Sequence, residues 1–557
     1  MRQRPFAGLT RRNLGTELLA GVTLLAIAVP LNIGYAQIAG LPPTAGLYAL
    51  VVPTILYALV VSSRQVVASP DAAAAALVAS SIGGLAVAGS ADYAALAMAQ
   101  AIISGILFAA LAVFKLGFLA NFLSKPILVG FVAGLALDIL LSQVAKMLGV
   151  GIDSGAEFPG KLAELVTRLG TTNGWSVVIS AVAVAVLLAG RRWARAVPWA
   201  LVVLVAATLA VVAGGLRARG VAVLGEVPAG PPTLTWPMLD WSTWLALVPS
   251  AIALTLVTTA EGLLVSRSYA EKRGYPFRAN RDLLAFGVAN VAAGAQGSFA
   301  IGASTSRTAA MDQAGARTQL PSVVLAAGAL LLLLFGTALL ADIPSPAIGA
   351  VVAVAIVPLL GIAEFRDLWR RDRFEFLIAA TCFLAPLLVG PIAGILVAVV
   401  LALVNLAKRA ANPAIDVLEA GGEPTDSLLD AAPRGSVTAP GVIVIRLAAP
   451  LFFANGSVFA DAVKRAVDAA EQTGNGPVRH VVVDLEAVTD LDVTGAESFE
   501  SLLAWLGRRE IGVALSRVRP GIRRRLDDLG VAGRVDVYAT NRAAIAALAP
   551  TRTEDGT

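Results

Sequence analysis

The sequence predicts a polytopic α-helical membrane domain followed by a small α/β domain. Three observations lead to that class. Hydrophobic residues fill 57% of the 557 positions and charged residues only 15%, against about a quarter in an ordinary soluble chain. Apolar runs near the ~20 residues that cross a hydrocarbon core recur up to residue 411. Beyond Ala411 the composition shifts, and strand-like and helical patterns alternate. The basic N-terminus has no small-residue cleavage site behind a short apolar core, so no removable signal peptide is expected.

The composition also excludes several classes. The net charge of +5 is spread over the ends of apolar segments, where topology needs it, so nucleic acid is not an expected partner. A single cysteine, Cys382, makes no internal disulfide or cysteine metal cluster. No phosphate-loop motif suggests an ATPase, no nucleophile–base set suggests an enzyme, and no cofactor or metal is expected.

Taken in order, the apolar or interrupted segments lie near residues 15–37, 44–61, 69–89, 95–114, 126–148, 176–190, 197–214, 243–266, 282–297, 300–316, 320–340, 344–362, 374–389 and 391–406. Charge phasing supports fourteen crossings. Arg2, Arg4, Arg11 and Arg12 place the N-terminus in the cytoplasm, and every second loop after it is basic: Arg64; Lys115 and Lys125; Arg191, Arg192 and Arg195; Lys272 to Arg281; Arg317; Arg366 to Arg373; Lys408 and Arg409. Most intervening loops lack Lys and Arg, although Lys161 and Arg217 fall on the outer side. An even count returns the C-terminus to the cytoplasm.

Fourteen divides into seven plus seven, and an odd-numbered repeat inserts upside down. The third member of each half supports this. Segment three opens Val67-Ala68-Ser69-Pro70-Asp71-Ala72, and segment ten opens Ala303-Ser304-Thr305-Ser306-Arg307-Thr308. Ser69 reads as a helix N-cap with Pro70 at the first helical position, and Ser304 or Thr305 fits the same role. A helix start of this kind binds anions.

Pro30 to Tyr57 reads PLNIGYAQIAGLPPTAGLYALVVPTILY, followed by Ser63-Arg64 and Ser69-Pro70-Asp71. Further fragments are Phe122-Leu-Ser-Lys-Pro-Ile-Leu-Val-Gly-Phe131, Gly225-Glu-Val-Pro228, Ser306-Arg-Thr-Ala309 and Ala314-Gly-Ala-Arg-Thr-Gln319. This ordered set resembles the sulfate permease family of anion transporters over nearly the whole chain. The resemblance implies a 7+7 inverted repeat with a core domain of segments 1–4 and 8–11 and a gate domain of 5–7 and 12–14. It implies an anion held between the starts of segments three and ten. By position, Tyr35 would line the site, with Ser69, Pro70, Asp71 and Ala72 at one helix start and Ala303, Ser304, Thr305, Ser306 and Arg307 at the other. It also implies a homodimer. The chain departs from the family pattern at Leu31, where many members have Gln, and at Ser69 and Ala303, where Gly is usual.

Glu261, inside segment eight, is the expected proton-coupling residue, facing the pocket near Arg307. Arg307 either contributes fixed positive potential to the anion or pairs with Glu261. Asp138 reads as a helix–helix hydrogen-bond partner, and Asp312 and Gln313 as polar residues at a cytoplasmic helix end.

The expected organisation is a transmembrane domain over 1–411, a linker over 412–440, an α/β domain over 441–550 and a disordered tail over 551–557. Strands are predicted at 442–447, 480–485 and 512–516, with helices at 458–470, 494–506 and 520–529. Asp484-Leu-Glu-Ala-Val-Thr-Asp-Leu-Asp-Val-Thr-Gly495 resembles the central loop of the sulfate transporter and anti-sigma antagonist (STAS) domain. Thr494 stands where bacterial relatives of that domain are phosphorylated, and is read as a helix N-cap or as a regulatory site. His480 reads as structural, at a strand edge.

The expected function is secondary active transport of a small anion (bicarbonate, sulfate or a dicarboxylate), as a proton-coupled symporter working by elevator-like movement in a bacterial cytoplasmic membrane. The alternatives are an uncoupled exchanger or channel, and a STAS-linked membrane receptor.

Overall fold

The computed structural model describes residues 6–83, 85–118, 124–153, 156–193, 197–421, 430–433, 435–474, 476–528, 530 and 535–549. Arg2, Arg4, Phe122, Arg195 and the expected tail 551–557 lie outside the described residues. The chain divides into two compact units, Met1–Ala402 and Leu403–Thr557.

In the first unit each expected segment has a helical counterpart. Segment one is α1 (Leu14–Ile38); segment two is broken into α2 (Pro43–Tyr48) and α3 (Val52–Val60), each opening with a proline in its first turn. Segment three is a two-residue strand, β1 (Ala68–Ser69), leading into α4 (Ala72–Ile82). Then come α5 (Ala91–Val113), α6 (Lys125–Leu148), α8 (Gly174–Trp193) and α9 (Trp199–Gly214). The second half begins with α10 (Trp241–Arg273) and α11 (Ala279–Gly294), followed by β2 (Gly302–Ala303) and α12 (Thr305–Gln313). It ends with α13 (Leu320–Leu331), α14 (Ser345–Ile356), α16 (Arg373–Val389) and α17 (Pro391–Ala411).

Two short helices were not anticipated. α7 (Phe158–Thr167) follows α6, and α15 (Ile362–Arg371) follows α14 across a left-handed Gly361. Both are amphipathic and short, so neither carries the continuous apolar run that marks a crossing.

The packing reproduces the inverted repeat. The contacts between the two halves come in symmetry-related pairs: α1–α13 is answered by α10–α5, α3–α13 by α11–α5, and α6–α16 by α14–α8. Segments 1–4 and 8–11 therefore pack with one another, as do segments 5–7 and 12–14. Small residues allow the close approaches. Gly105 and Gly287 bring α5 and α11 together, where an added Cβ would come within 3.0 Å of backbone on the facing helix. Gly130 of α6 lies against the Ala379 carbonyl of α16. Gly130→Ala is therefore expected to overpack this contact, costing about 1–3 kcal/mol, read as a lowered unfolding temperature of the purified protein in detergent.

Asp138 is a helix–helix hydrogen-bond partner, as expected. Its carboxylate takes both Lys161 contacts, at 2.8 and 3.0 Å, from α7. Arg217, also on the outer side, lies 3.9 Å from Asp342. Asp312 accepts from Lys272 at 2.8 Å and from Arg273, tying the ends of α12 and α10 together.

The second unit is a five-stranded sheet. β3 (Ile415–Val417) runs antiparallel to β4 (Val442–Leu447); β5 (His480–Asp484), β6 (Gly512–Ser516) and β7 (Asp536–Tyr538) follow in parallel. The helices are α18 (Gly456–Gln472), α19 (Val493–Arg508), α20 (Pro520–Asp528) and α21 (Asn541–Leu548). The linker reading is corrected at Ile415–Val417, which pair with Ile445–Leu447 as an edge strand. His480 begins the middle strand of the sheet, not an edge strand. Buried Asp484 bonds Arg446 at 2.9 Å and Asn541 at 3.0 Å, joining β4, β5 and α21. Thr494 is exposed in the first turn of α19, and the cap is Asp492, which accepts from Gly495 N–H at 2.7 Å. The N-cap reading of Thr494 is thereby overturned: the cap must precede the first helical residue, Val493.

Candidate functional site

Two half-helices meet head to head inside the first unit. α4 has 11 residues and α12 has 9. At 1.5 Å per residue, neither spans the ~30 Å hydrocarbon core. Extended backbone completes each crossing, and its polar groups need partners away from water. The fold supplies them. β1 and β2 pair antiparallel, Ala68 with Ala303 and Ser69 with Gly302. Ser304 N–H donates to the Val67 carbonyl at 3.0 Å, and Val67 N–H to Thr308 Oγ1 at 3.0 Å. Asn290 of α11 holds both polar groups of Ile301, at 2.9 and 3.0 Å. Gln319 Nε2 bonds the carbonyls of Ser63 and Val66, at 3.1 and 2.9 Å.

The helix starts differ in how they are capped. Ser304 caps α12 as expected, accepting from Arg307 N–H at 3.4 Å. For α4 the Ser69 expectation is corrected. Asp71 is the cap, accepting from Ala74 N–H at 2.7 Å. Ser69 lies in β1, fully buried, with no hydrogen-bond partner for its hydroxyl. Pro70 precedes the cap and cannot occupy the first helical position, which is Ala72. The pairing with β2 keeps Ser69 extended and moves the helix start two residues on.

Arg307 is fully buried. Its Nη2 donates to the Pro70 carbonyl, and its guanidinium sits over the Tyr35 ring, 5.6 Å from the centroid. Among the described residues, Nε and Nη1 have no hydrogen-bond partner. Asp71 is its acidic neighbour. Glu261 has Asp71 as a charged neighbour. The repeat explains this. α1 packs on α12 and α10 packs on α4, so Tyr35 of the first half meets Arg307 of the second, and Glu261 of the second half has Asp71 of the first as its neighbour. Among the described residues no ion pair joins Glu261 to Arg307. Ala72 and Ala303 are buried beside the two starts, whereas Thr305 and Ser306 are exposed.

Leu31 is buried on the same helix as Tyr35, and it lines a separate cavity of about 450 Å³ with Trp199 and Gln313. Sequence reasoning overlooked Asn290, Gln319 and Thr308. Each is a fully buried polar side chain in or beside a membrane segment, and that cost was the available signal. It also overlooked the constraint at Gly302, where an added Cβ would overlap the Asp71 carboxylate and lie 3.0 Å from the Thr258 methyl.

Half-helices meeting within a pseudo-symmetric helical bundle, with a STAS-like sheet after it, define a polytopic membrane transporter rather than an enzyme. Residues 14–382 match the Sulfate permease family and residues 436–544 the STAS domain. The chain belongs to the sulfate permease family. It is 35% identical to a "Probable sulfate transporter" of Mycobacterium tuberculosis (strain CDC 1551 / Oshkosh), over 93% of this chain and 91% of that one. It is 31% identical to "Low affinity sulfate transporter 3" of Stylosanthes hamata, over 90% of this chain and 82% of that one. Among solved structures, murine Solute Carrier 26 family member A9, an anion transporter in the inward-facing state, superposes with a TM-score of 0.86 at 21% identity, covering 97% and 92% of the two chains. The transmembrane domain of the cyanobacterial bicarbonate transporter BicA does so with a TM-score of 0.61 at 23% identity, covering 70% and 98%. These two likenesses bear on the fold.

Gly302→Ala is expected to push Asp71 off the α4 start. Transport should fall at least tenfold, with about 1–3 kcal/mol lost in stability, checked by uptake and thermal unfolding on the same preparation.

Proposed function

We propose that this protein is a proton-coupled symporter of small oxyanions, with the anion held between the starts of α4 and α12. The observation that carries the reading is the buried Arg307 guanidinium, two of whose nitrogens have no partner, set beside two converging helix starts. Both starts direct backbone N–H groups and positive dipole ends toward the same region. Ser69 lies beside one of them and Thr305 and Ser306 at the other. Tyr35 and the Pro70 carbonyl hold the guanidinium in place.

Charge supports proton coupling. Asp71 lies near the Arg307 guanidinium, and Glu261 is a second carboxylate beside Asp71. A bound oxyanion adds further negative charge, at roughly 4 kcal/mol for each pair of unit charges 4 Å apart at an effective dielectric near 20. A proton on Glu261 offsets that cost, because the Asp71 carboxylate is already committed to the α4 cap. Anion and proton then load together. Elevator movement of segments 1–4 and 8–11 against the remaining segments carries both across. Sulfate and bicarbonate lead the candidate substrates because relatives are named for sulfate and a structural neighbour for bicarbonate; dicarboxylates share their chemistry.

The same reading puts the protein in a bacterial cytoplasmic membrane as a homodimer, with both termini in the cytoplasm. Arg11, Arg12, Lys408 and Arg409 support the orientation. Phosphate on exposed Thr494 would meet the positive end of α19 and is the regulatory reading of that residue. The test is uptake into proteoliposomes with labelled sulfate, bicarbonate and a dicarboxylate, with and without an imposed proton gradient. Uptake driven by the gradient is the expected result. Uptake that requires a trans anion would make the protein an exchanger, uncoupled conductance would make it a channel, and absence of flux would favour a receptor.

A further inference from the structure

A second polar cavity, of about 210 Å³, is lined by the C-terminal parts of α1, α4, α6 and α16, and its inner edge reaches Ala76, one turn beyond the start of α4. These helices all run away from the face where α1 begins, so the cavity belongs to the opposite, outer face. We infer that it is a second oxyanion subsite, where Lys146 receives the anion before it reaches the helix starts; this rests on the transport reading above.

Two lysines line the cavity, and the structure treats them differently. The charge of Lys161 is cancelled by both oxygens of Asp138. Among the described residues no acid pairs with Lys146: the contact made by its Nζ is a neutral one, to Gln37 Oε1 at 3.2 Å. An ammonium has three donors, so two remain for an incoming oxyanion. Gln143 stands three residues earlier on α6, on the same face. It is fully buried, lines the cavity, and neither amide atom has a hydrogen-bond partner. Ser142 adds a hydroxyl one turn from Lys146. The further acid is Glu157, which is exposed at the rim and screened by water. One uncompensated cation, one unsatisfied amide and one hydroxyl on a single helix face match the acceptors of a small oxyanion, with room for several waters.

The Gln37 contact gives the subsite a consequence. Gln37 is on α1, which moves with the core, and Lys146 is on α6, which belongs to the gate. An oxyanion arriving at Lys146 competes with Gln37 and loosens the link between them, so arrival of the substrate frees the core to move.

The experiment compares Lys146→Gln, Lys146→Arg and Gln37→Ala, using radiolabelled sulfate and bicarbonate presented to either face in oriented vesicles. Lys146→Gln should raise the half-saturating concentration about tenfold from the outer face and leave it unchanged from the other. Lys146→Arg should retain most of the wild-type affinity. Gln37→Ala should lower the outer half-saturation, because it removes the competitor. A purely structural link would shift Lys146→Gln and Gln37→Ala in the same direction, and that outcome overturns the subsite. Equal shifts from both faces, or no shift in Lys146→Gln while wild type transports, overturn it too. Wild-type protein that moves neither anion overturns the transport reading itself, and the subsite with it.

Discussion

Replacing Arg307 by alanine is expected to lower gradient-driven anion uptake at least a hundredfold. The side chain is fully buried, so its charge acts at close range in a medium that screens poorly. Removing one member of a buried charged set costs about 3–5 kcal/mol, and about 1.4 kcal/mol corresponds to each factor of ten in an equilibrium. The substitution would strip the Pro70 carbonyl of its donor, take the cation from Asp71, and empty the space over Tyr35. Arg307→Lys tests the geometry separately. It keeps the charge, but a compact ammonium does not span the Pro70 carbonyl and the Tyr35 ring as a planar guanidinium does. It should fall between alanine and wild type. Uptake by the alanine variant within a few-fold of wild type, at equal protein incorporation, would remove Arg307 from the site.

Glu261→Gln is expected to separate coupling from carriage. Glutamine keeps the shape of a protonated carboxyl but never releases a proton. Accumulation against an anion gradient under an imposed proton gradient should drop at least tenfold, since roughly one unit of pH is worth 1.4 kcal/mol per coupled proton. Exchange of labelled for unlabelled anion needs no net proton movement and should stay within about twofold of wild type. Paired measurements on one proteoliposome preparation distinguish this from general damage, which lowers both. Wild-type accumulation by the Gln variant would mean that Glu261 does not carry the proton, and Asp71, its acidic neighbour, would become the residue to test.

Much of the architecture was legible because it depends on quantities a sequence displays directly. Apolar length and alternating loop charge gave fourteen segments, since bilayer thickness and membrane orientation act on each segment alone. The half-helices were legible from hydroxyls and an arginine interrupting short apolar runs. α7 and α15 were not, because an amphipathic helix lying along a surface resembles a loop in hydropathy. β3 was hidden for a related reason: three residues inside a Gly- and Pro-rich stretch become a strand only when the edge of β4 is there to pair with.

The site divides in the same way. The sequence by itself determined which residues gather: two short helices with matched polar starts, one buried arginine and one half-buried glutamate. Tertiary structure decided how they pair. Antiparallel β1–β2 pairing drew Ser69 into a strand and made Asp71 the cap, since a backbone hydrogen-bonded on a sheet edge is not free to turn into a helix. The crossed packing of the repeat placed Glu261 by Asp71 and Arg307 by Tyr35. It also set Lys146 opposite a glutamine while Lys161 took the carboxylate. Residue type tells which charges must find partners in a membrane. Only the packing of helices distant in sequence tells which partner each one finds.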